Sequence, residues 1–99
     1  MIGGEMPLLH IEHGVNDLDT WLKVFNAFEP QRKAAGVTQV RLGQPVGDPH
    51  HVVIDLEFET TSAADDFRTF LRENVWTSAD ASNVMTGTPT AIILTEIRS

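Results

Sequence analysis

Four histidines and no cysteine set the chemistry open to this 99-residue chain. Thiolate nucleophiles, thiolate metal sites and disulfides are excluded. His13 is the side chain best suited to act. It lies in Pro7 to Val15, where Leu9, Ile11, His13 and Val15 share one parity and Leu8, His10, Glu12 and Gly14 the other. That alternation is the mark of a half-buried strand. A histidine at the end of a strand's apolar face can act as a general acid or base, because its ordinary pKa lies near neutrality. It can equally be a structural residue hydrogen-bonded to the start of the next helix. Trp21, Phe25, Phe28 and Trp76 could wall a pocket for a planar ligand, with Met85 as a lid, or they could simply fill the core. Arg32 could meet a carboxylate or phenolate at the mouth of such a pocket. As an arginine on a helix, it is expected on the solvent side.

A second group shares the opposite parity. His10, Glu12, Gln39, Arg41, Asp55 and Glu57 fall on the polar face of their strands. This face is either solvated or covered by another subunit through a charged, hydrogen-bonded seam. Arg41 is its only cation and is expected to pair with one of the carboxylates, within its own sheet or across a subunit boundary. One histidine among several carboxylates is a poor metal set. His50 and His51 are adjacent, so on a strand they point to opposite faces and do not share an ion. No metal site is expected. No Ser-His-Asp signature, glycine-rich phosphate loop, HExxH or EF-hand pattern occurs.

Fourteen acidic and seven basic residues give a net charge of −7. This balance argues against nucleic acid and against an anionic membrane. No apolar run approaches the roughly 18–20 residues that span a bilayer. The N-terminus lacks the basic and apolar stretches of a signal peptide, so a cytoplasmic protein is expected. The length fits one domain over residues 1–99, with 1–6 as a flexible N-terminus. A chain this short buries a modest share of its surface, which favours association.

The elements that must position these residues follow from periodicity. After the first strand, Asn16 or Asp17 can cap a helix carrying Leu18, Trp21, Leu22, Phe25 and Phe28 on one stripe. Pro30 should kink that helix or start a second segment, and Gly36 fits just past a helix end. Val37 to Gln44 reads as a second strand, the Pro45 to Pro49 cluster as a reversal, and His51 to Glu59 as a third strand. Ser62 and Asp65 have the spacing of a capping box for a helix burying Ala63, Phe67, Phe70 and Leu71. Residues 74–89 are ambiguous, with a short helix from about Thr77 ending before Gly87. Thr90 to Ile97 reads as the last strand. The order β-α-β-β-α-β predicts an α+β, ferredoxin-like fold: a four-stranded antiparallel sheet, first and third strands central, with two helices on one face.

The residues also resemble a known group. His13-Gly-Val-Asn-Asp17-Leu-Asp19-Thr-Trp21 with Phe25, Arg32 and Gly36-Val37, and Pro45 to Val52 followed by Asp55-Leu56-Glu57-Phe58, are similar to small actinobacterial proteins of the dimeric α/β-barrel superfamily. Phe70-Leu71-Arg72, Trp76 and the final strand after Pro89 extend the resemblance over roughly residues 8–98. Members are described as cyclase-like or antibiotic-biosynthesis-monooxygenase-like. The resemblance implies a homodimer, residues 7–98 of each subunit forming half of a barrel, and a pocket between sheet and helices. It implies a small-molecule-binding protein acting without metal or flavin on an aromatic or polyketide-like compound. The alternative is a non-enzymatic homodimeric ligand-binding or interaction domain. Haem-degrading relatives use a helix histidine and a tryptophan after the third strand; here the helix after that strand has no histidine and Phe58 stands in the other position, so haem chemistry is not expected.

Overall fold

The computed structural model describes residues 6–95 and 97; the N-terminal segment expected to be flexible therefore lies, save Met6, outside the described residues. Strand β1 (Leu8–Val15) is followed by helices α1 (Leu18–Ala27) and α2 (Glu29–Ala34), strands β2 (Gln39–Gly43) and β3 (His51–Glu57), helix α3 (Thr61–Phe70), a π-helical turn (Leu71–Val75), the short α4 (Ala79–Ser82) and β4 (Met85–Leu94). The four strands form one antiparallel sheet in the order β2-β3-β1-β4, with β1 and β3 central. This is the expected ferredoxin-like α+β architecture. No described helix is long and apolar enough to cross a membrane.

The parity of β1 and β3 decides the layers. Leu9, Ile11, His13 and Val15 of β1 and Val52, Ile54 and Leu56 of β3 are buried, while the residues between them are only partly covered. The helices pack on the buried side, where Trp21, Ala64, Phe67 and Leu71 join the core. Asp17 caps α1 by accepting from the Thr20 N–H at 3.0 Å, an interaction typically worth about 1 kcal/mol. Pro30 sits in the first turn of α2, where its missing N–H is not needed. The chain thus breaks at Phe28 into two helices. Gly36 follows α2 with φ +93°, the left-handed conformation of a helix C-terminus.

Several boundaries differ from expectation, each for a local reason. The cap of α3 is Thr60, which accepts from the Ala63 N–H at 3.1 Å, rather than Ser62. The helix expected to bury Ala63, Phe67, Phe70 and Leu71 gives way at Leu71 to the π turn, closed by the Trp76 N–H donating to the Leu71 carbonyl at 2.8 Å. Strand β2 is shorter than Val37 to Gln44 and lies at the sheet edge, where all five residues are exposed. Strand β4 starts at Met85 and ends at Leu94, instead of running from Thr90 to Ile97. Pro89 does not block it, because the pairing with β1 passes from Glu12 opposite Thr90 to Gly14 opposite Thr86. Residues 87–89 bulge out across from His13, with Gly87 at φ +72°. In a bulge a proline's missing donor is harmless.

Gly14 marks a close approach. A Cβ there would run into the Thr86 hydroxyl and stand 3.1 Å from the Thr86 carbonyl and 3.4 Å from that of His50. The same crossing is tied by the Val15 N–H donating to the His50 carbonyl at 2.9 Å.

Candidate functional site

Between the sheet and the helices lies a cavity of about 60 Å³. One water needs roughly 10–15 Å³ of such space, so the cavity is real, but it falls short of the roughly 150 Å³ that accepts a benzene ring. His13, Trp21, Phe25, Phe28, Arg32, Trp76 and Met85 all line it. The structure therefore brings together in one place the histidine, the aromatic residues, the arginine and the methionine singled out as site candidates.

His13 is buried, and its Nδ1 lies 2.9 Å from the Gly14 carbonyl. It does not reach the start of α1, where a structural histidine was expected to bond. A carbonyl only accepts, so Nδ1 carries the proton. Burial pushes the imidazole pKa below its ordinary value, the Gly14 bond partly opposes this, and the charge of His51 lowers it further. His13 is thus a neutral ring whose Nε2 bears the lone pair. Among the described residues no fully buried side-chain nitrogen or oxygen lacks a partner. Among the described residues Nε2 has no hydrogen-bond partner, so it keeps contact with open space, and His13 borders the cavity. This is the state a general base requires.

An aromatic ladder runs from His13. The imidazole meets Trp21 edge-on at 5.7 Å, and Trp21 stacks on Phe25 at 5.0 Å. The Arg32 guanidinium carbon then lies 3.7 Å from the Phe25 ring centre. Arg32 is only 7% exposed and donates from Nη1 to the Phe25 carbonyl at 2.6 Å. The expectation that it faces solvent is overturned. Arg32 is seven positions after Phe25, on the continuation of the Leu18, Trp21, Phe25 and Phe28 stripe, and the break at Pro30 leaves it pointing inward. That spacing was the available signal.

The opposite wall comes from the region that periodicity left ambiguous. The π turn ties the Trp76 N–H to the Leu71 carbonyl, and both residues line the cavity with Val75. Val84 and Met85 close it from the start of β4. Trp76 and Met85 also line an outer groove of about 450 Å³ with Arg72, Ser82 and Gly87, so these two side chains are shared by the inner cavity and the outer groove. Phe67, Leu71, Val75 and Val84 also line the inner cavity; the periodicity of Phe67 and Leu71 reads as core, Val75 and Val84 lie in the ambiguous stretch, and lining a cavity leaves no further trace in sequence.

The other sheet face is built differently. His10 lies 2.6 Å from Asp55 through Nδ1 and 2.8 Å from Glu12 through Nε2. Both acceptors are carboxylates, so both ring nitrogens donate and His10 is held as an imidazolium. Its pKa is raised, first by the Glu12 hydrogen bond; burial opposes this, and the hydrogen bond and charge of Asp55, with the charge of Glu12, add to the rise. His51 donates from Nε2 to Glu12 at 2.9 Å, and this bond, with that from His10, lowers the Glu12 pKa. His51 shares the parity of Asp55, which places it on this face and is a signal present in the sequence. His50 precedes the strand, its Nδ1 3.3 Å from the Val15 carbonyl.

Arg41 lies opposite Asp55 in the β2–β3 register, yet among the described residues it has no ion pair within its own sheet. His10 has taken the carboxylate. Glu57 instead accepts from the Thr38 hydroxyl at 2.8 Å, while Gln39 and Arg41 border a groove of about 340 Å³ with Asp55 and Glu57. The face is also less uniformly polar than expected, because Ile92 and Leu94 of β4 stand exposed beside His10 and Leu8. Among the described residues no group of three or more potential ligands is arranged to hold a metal ion.

Solved structures share this architecture. A provisionally named antibiotic biosynthesis monooxygenase from Bordetella bronchiseptica superposes with a TM-score of 0.69 at 12% identity, covering 95% of this chain and 99% of its own. A dimeric ferredoxin-like protein from an uncultured marine organism gives 0.68 at 13% identity, covering 98% and 99%. A Streptomyces coelicolor monooxygenase, solved in complex with the ligand nanaomycin D, gives 0.61 at 20% identity, covering 96% and 90%. No family model and no curated protein matches the sequence. At these identities the likeness establishes the fold.

Proposed function

We propose that two copies of this chain form a dimeric α/β barrel whose subunits each bind a planar aromatic or polyketide-like molecule between sheet and helices, with His13 as acid/base for monooxygenase- or cyclase-type chemistry. The observation that carries the reading is the cavity itself: a neutral histidine with a free Nε2 in an otherwise largely aromatic and aliphatic enclosure. Trp21, Phe25, Phe28, Trp76 and Met85 supply apolar walls for a ring. His13 would take the proton of a phenol or an acidic C–H, giving an electron-rich anion. Oxidation of a phenol by dioxygen to a quinone and water balances with the ring supplying all four electrons, so neither flavin nor metal is needed as reductant. The nanaomycin D complex of the Streptomyces neighbour supports a polycyclic ligand. Two neighbours described as dimeric support the assembly, as do the exposed Ile92 and Leu94 on the open sheet face.

At about 60 Å³ the cavity is too small for a ring, so binding requires its walls to move, and Trp76 and Met85, which also line the outer groove, are the side chains best placed to do so. That small volume also favours the rival reading, a non-enzymatic homodimeric domain. Both tryptophans of the chain line the cavity, so their fluorescence reports occupancy. Polycyclic phenols should raise the melting temperature and quench this fluorescence. His13→Gln should keep the binding and lose the consumption of dioxygen. Binding without turnover in the parent protein would select the rival; absence of binding by any polycyclic compound would overturn both ligand readings.

A further inference from the structure

Arg32 and His13 are the only buried polar or charged residues identified among those described. They differ in one respect that matters. His13 can shed its charge; an arginine keeps it. A guanidinium in an apolar enclosure is costly unless paired, and buried charges are almost always paired. The protein gives Arg32 one carbonyl, that of Phe25, and one ring face. Among the described residues no carboxylate lies within ion-pair distance of it. Glu29, one turn earlier, is exposed and acts on it only as a distant charge. No described aspartate or glutamate lines the cavity. Arg68 shows the contrast: in the same molecule it pairs with Asp65 at 2.7 Å on the surface.

We infer that Arg32 is the anion-binding residue of this cavity, and that the molecule taken up is an aromatic acid whose carboxylate or phenolate meets the unused edge of the guanidinium. The inference rests on the cavity being a ligand site and adds the class of ligand. The Phe25 carbonyl and ring hold the guanidinium in one position, so its remaining donors are already aimed before a ligand arrives. The aromatic ladder then lies between the two polar ends of the site: an acidic group at Arg32, a ring against Phe25 and Trp21, and a labile proton within reach of His13. A cationic ligand would be repelled, and a neutral one would leave the guanidinium unpaired.

The competing account is that Arg32 merely caps the end of α1 through the Phe25 carbonyl. Titration calorimetry with 2-naphthoate and its neutral isostere 2-naphthamide separates the two. The parent protein should bind naphthoate about tenfold to a hundredfold more tightly, the scale of a charge-assisted hydrogen bond. Arg32→Met should erase this preference and leave naphthamide affinity nearly unchanged, whereas Arg32→Lys, which keeps the charge, should retain part of it. Equal binding of the two compounds by the parent protein, or a preference that survives Arg32→Met, would overturn the inference while leaving the aromatic cavity intact. Binding of neither compound would overturn the ligand-site reading itself. Should Arg32→Met fail to fold, the comparison in the parent protein decides alone.

Discussion

His10 and His13 stand three residues apart on one strand and face opposite sides of the sheet. On the open side, His10 is clasped by Asp55 and Glu12 and held as a cation. On the covered side, His13 donates to a carbonyl in an apolar enclosure and is held neutral. The arginines repeat the contrast. Arg41 is exposed and without an ion pair in its own sheet, while Arg32 is buried against a ring. Residue type alone does not decide what these groups can do. The side of the sheet decides: one side offers carboxylates and water, the other aromatic carbon and a backbone oxygen.

The largest effect that tests the contrast is on the covered side. Trp21 is nearly inaccessible, stacks on Phe25 and abuts His13. Truncating a buried tryptophan or phenylalanine typically costs about 3–5 kcal/mol. The cavity already leaves one side of Trp21 without packing partners, so Trp21→Ala should cost near the low end, about 3 kcal/mol. The midpoint of urea denaturation should fall with an unchanged slope. A loss below about 1 kcal/mol would mean that the ring contributes no packing, and the covered side would then not be the core that holds His13 in place.

How far this division could be read in advance depends on which force sets each feature. Period-two alternation assigns His10 and His13 to opposite faces correctly, because burial of β1 and β3 is a property of parity alone. Arg32 runs against its type: its charge favours solvent, but its seven-residue spacing from Phe25 keeps it on the buried stripe. The start of β4 is not legible in the sequence, because Pro89 argues against a strand until a bulge removes the need for its donor. The pairing of Arg41 was not legible at all. His10 and Arg41 compete for Asp55, and which one wins depends on side-chain geometry across three strands. The π turn likewise leaves no periodic trace, yet it positions Trp76.

That competition leads to a smaller effect on the open side. With Asp55 occupied by His10, Arg41 is available to a carboxylate of a second subunit. If the open faces of two subunits meet, Arg41→Met should raise the dimer dissociation constant about tenfold near neutral pH, the equivalent of roughly 1.4 kcal/mol. Partial recovery is expected in mild acid, where uncompensated carboxylates begin to protonate. Sedimentation equilibrium across pH measures both. An unchanged constant at neutral pH would show that Arg41 does not compensate the seam, or that the open face is not where subunits meet.

The smallest effect is the most direct comparison of the two histidines. Burial places the His13 pKa below 6.5 in the folded chain, so on acidification the unfolded chain takes up the proton first. Stability is therefore lost as pH falls from about 6.5 toward the folded value. His10 runs the other way. Its folded pKa is raised, so its contribution is complete below about 6.5 and is lost as pH rises through the folded value. The two histidines thus tilt the stability curve in opposite senses across neutrality. His13→Gln should flatten the acid side of the curve and leave the alkaline side alone; His10→Gln should do the reverse. Glu12, whose pKa is lowered, loses its contribution only on falling through that lower value, below the window in which the histidines act. Unfolding free energies from urea titrations between about pH 5 and 8 would resolve the slopes. If His13→Gln steepened the acid side, or if both substitutions altered the same side, the two faces of β1 would not be holding their histidines in opposite charge states.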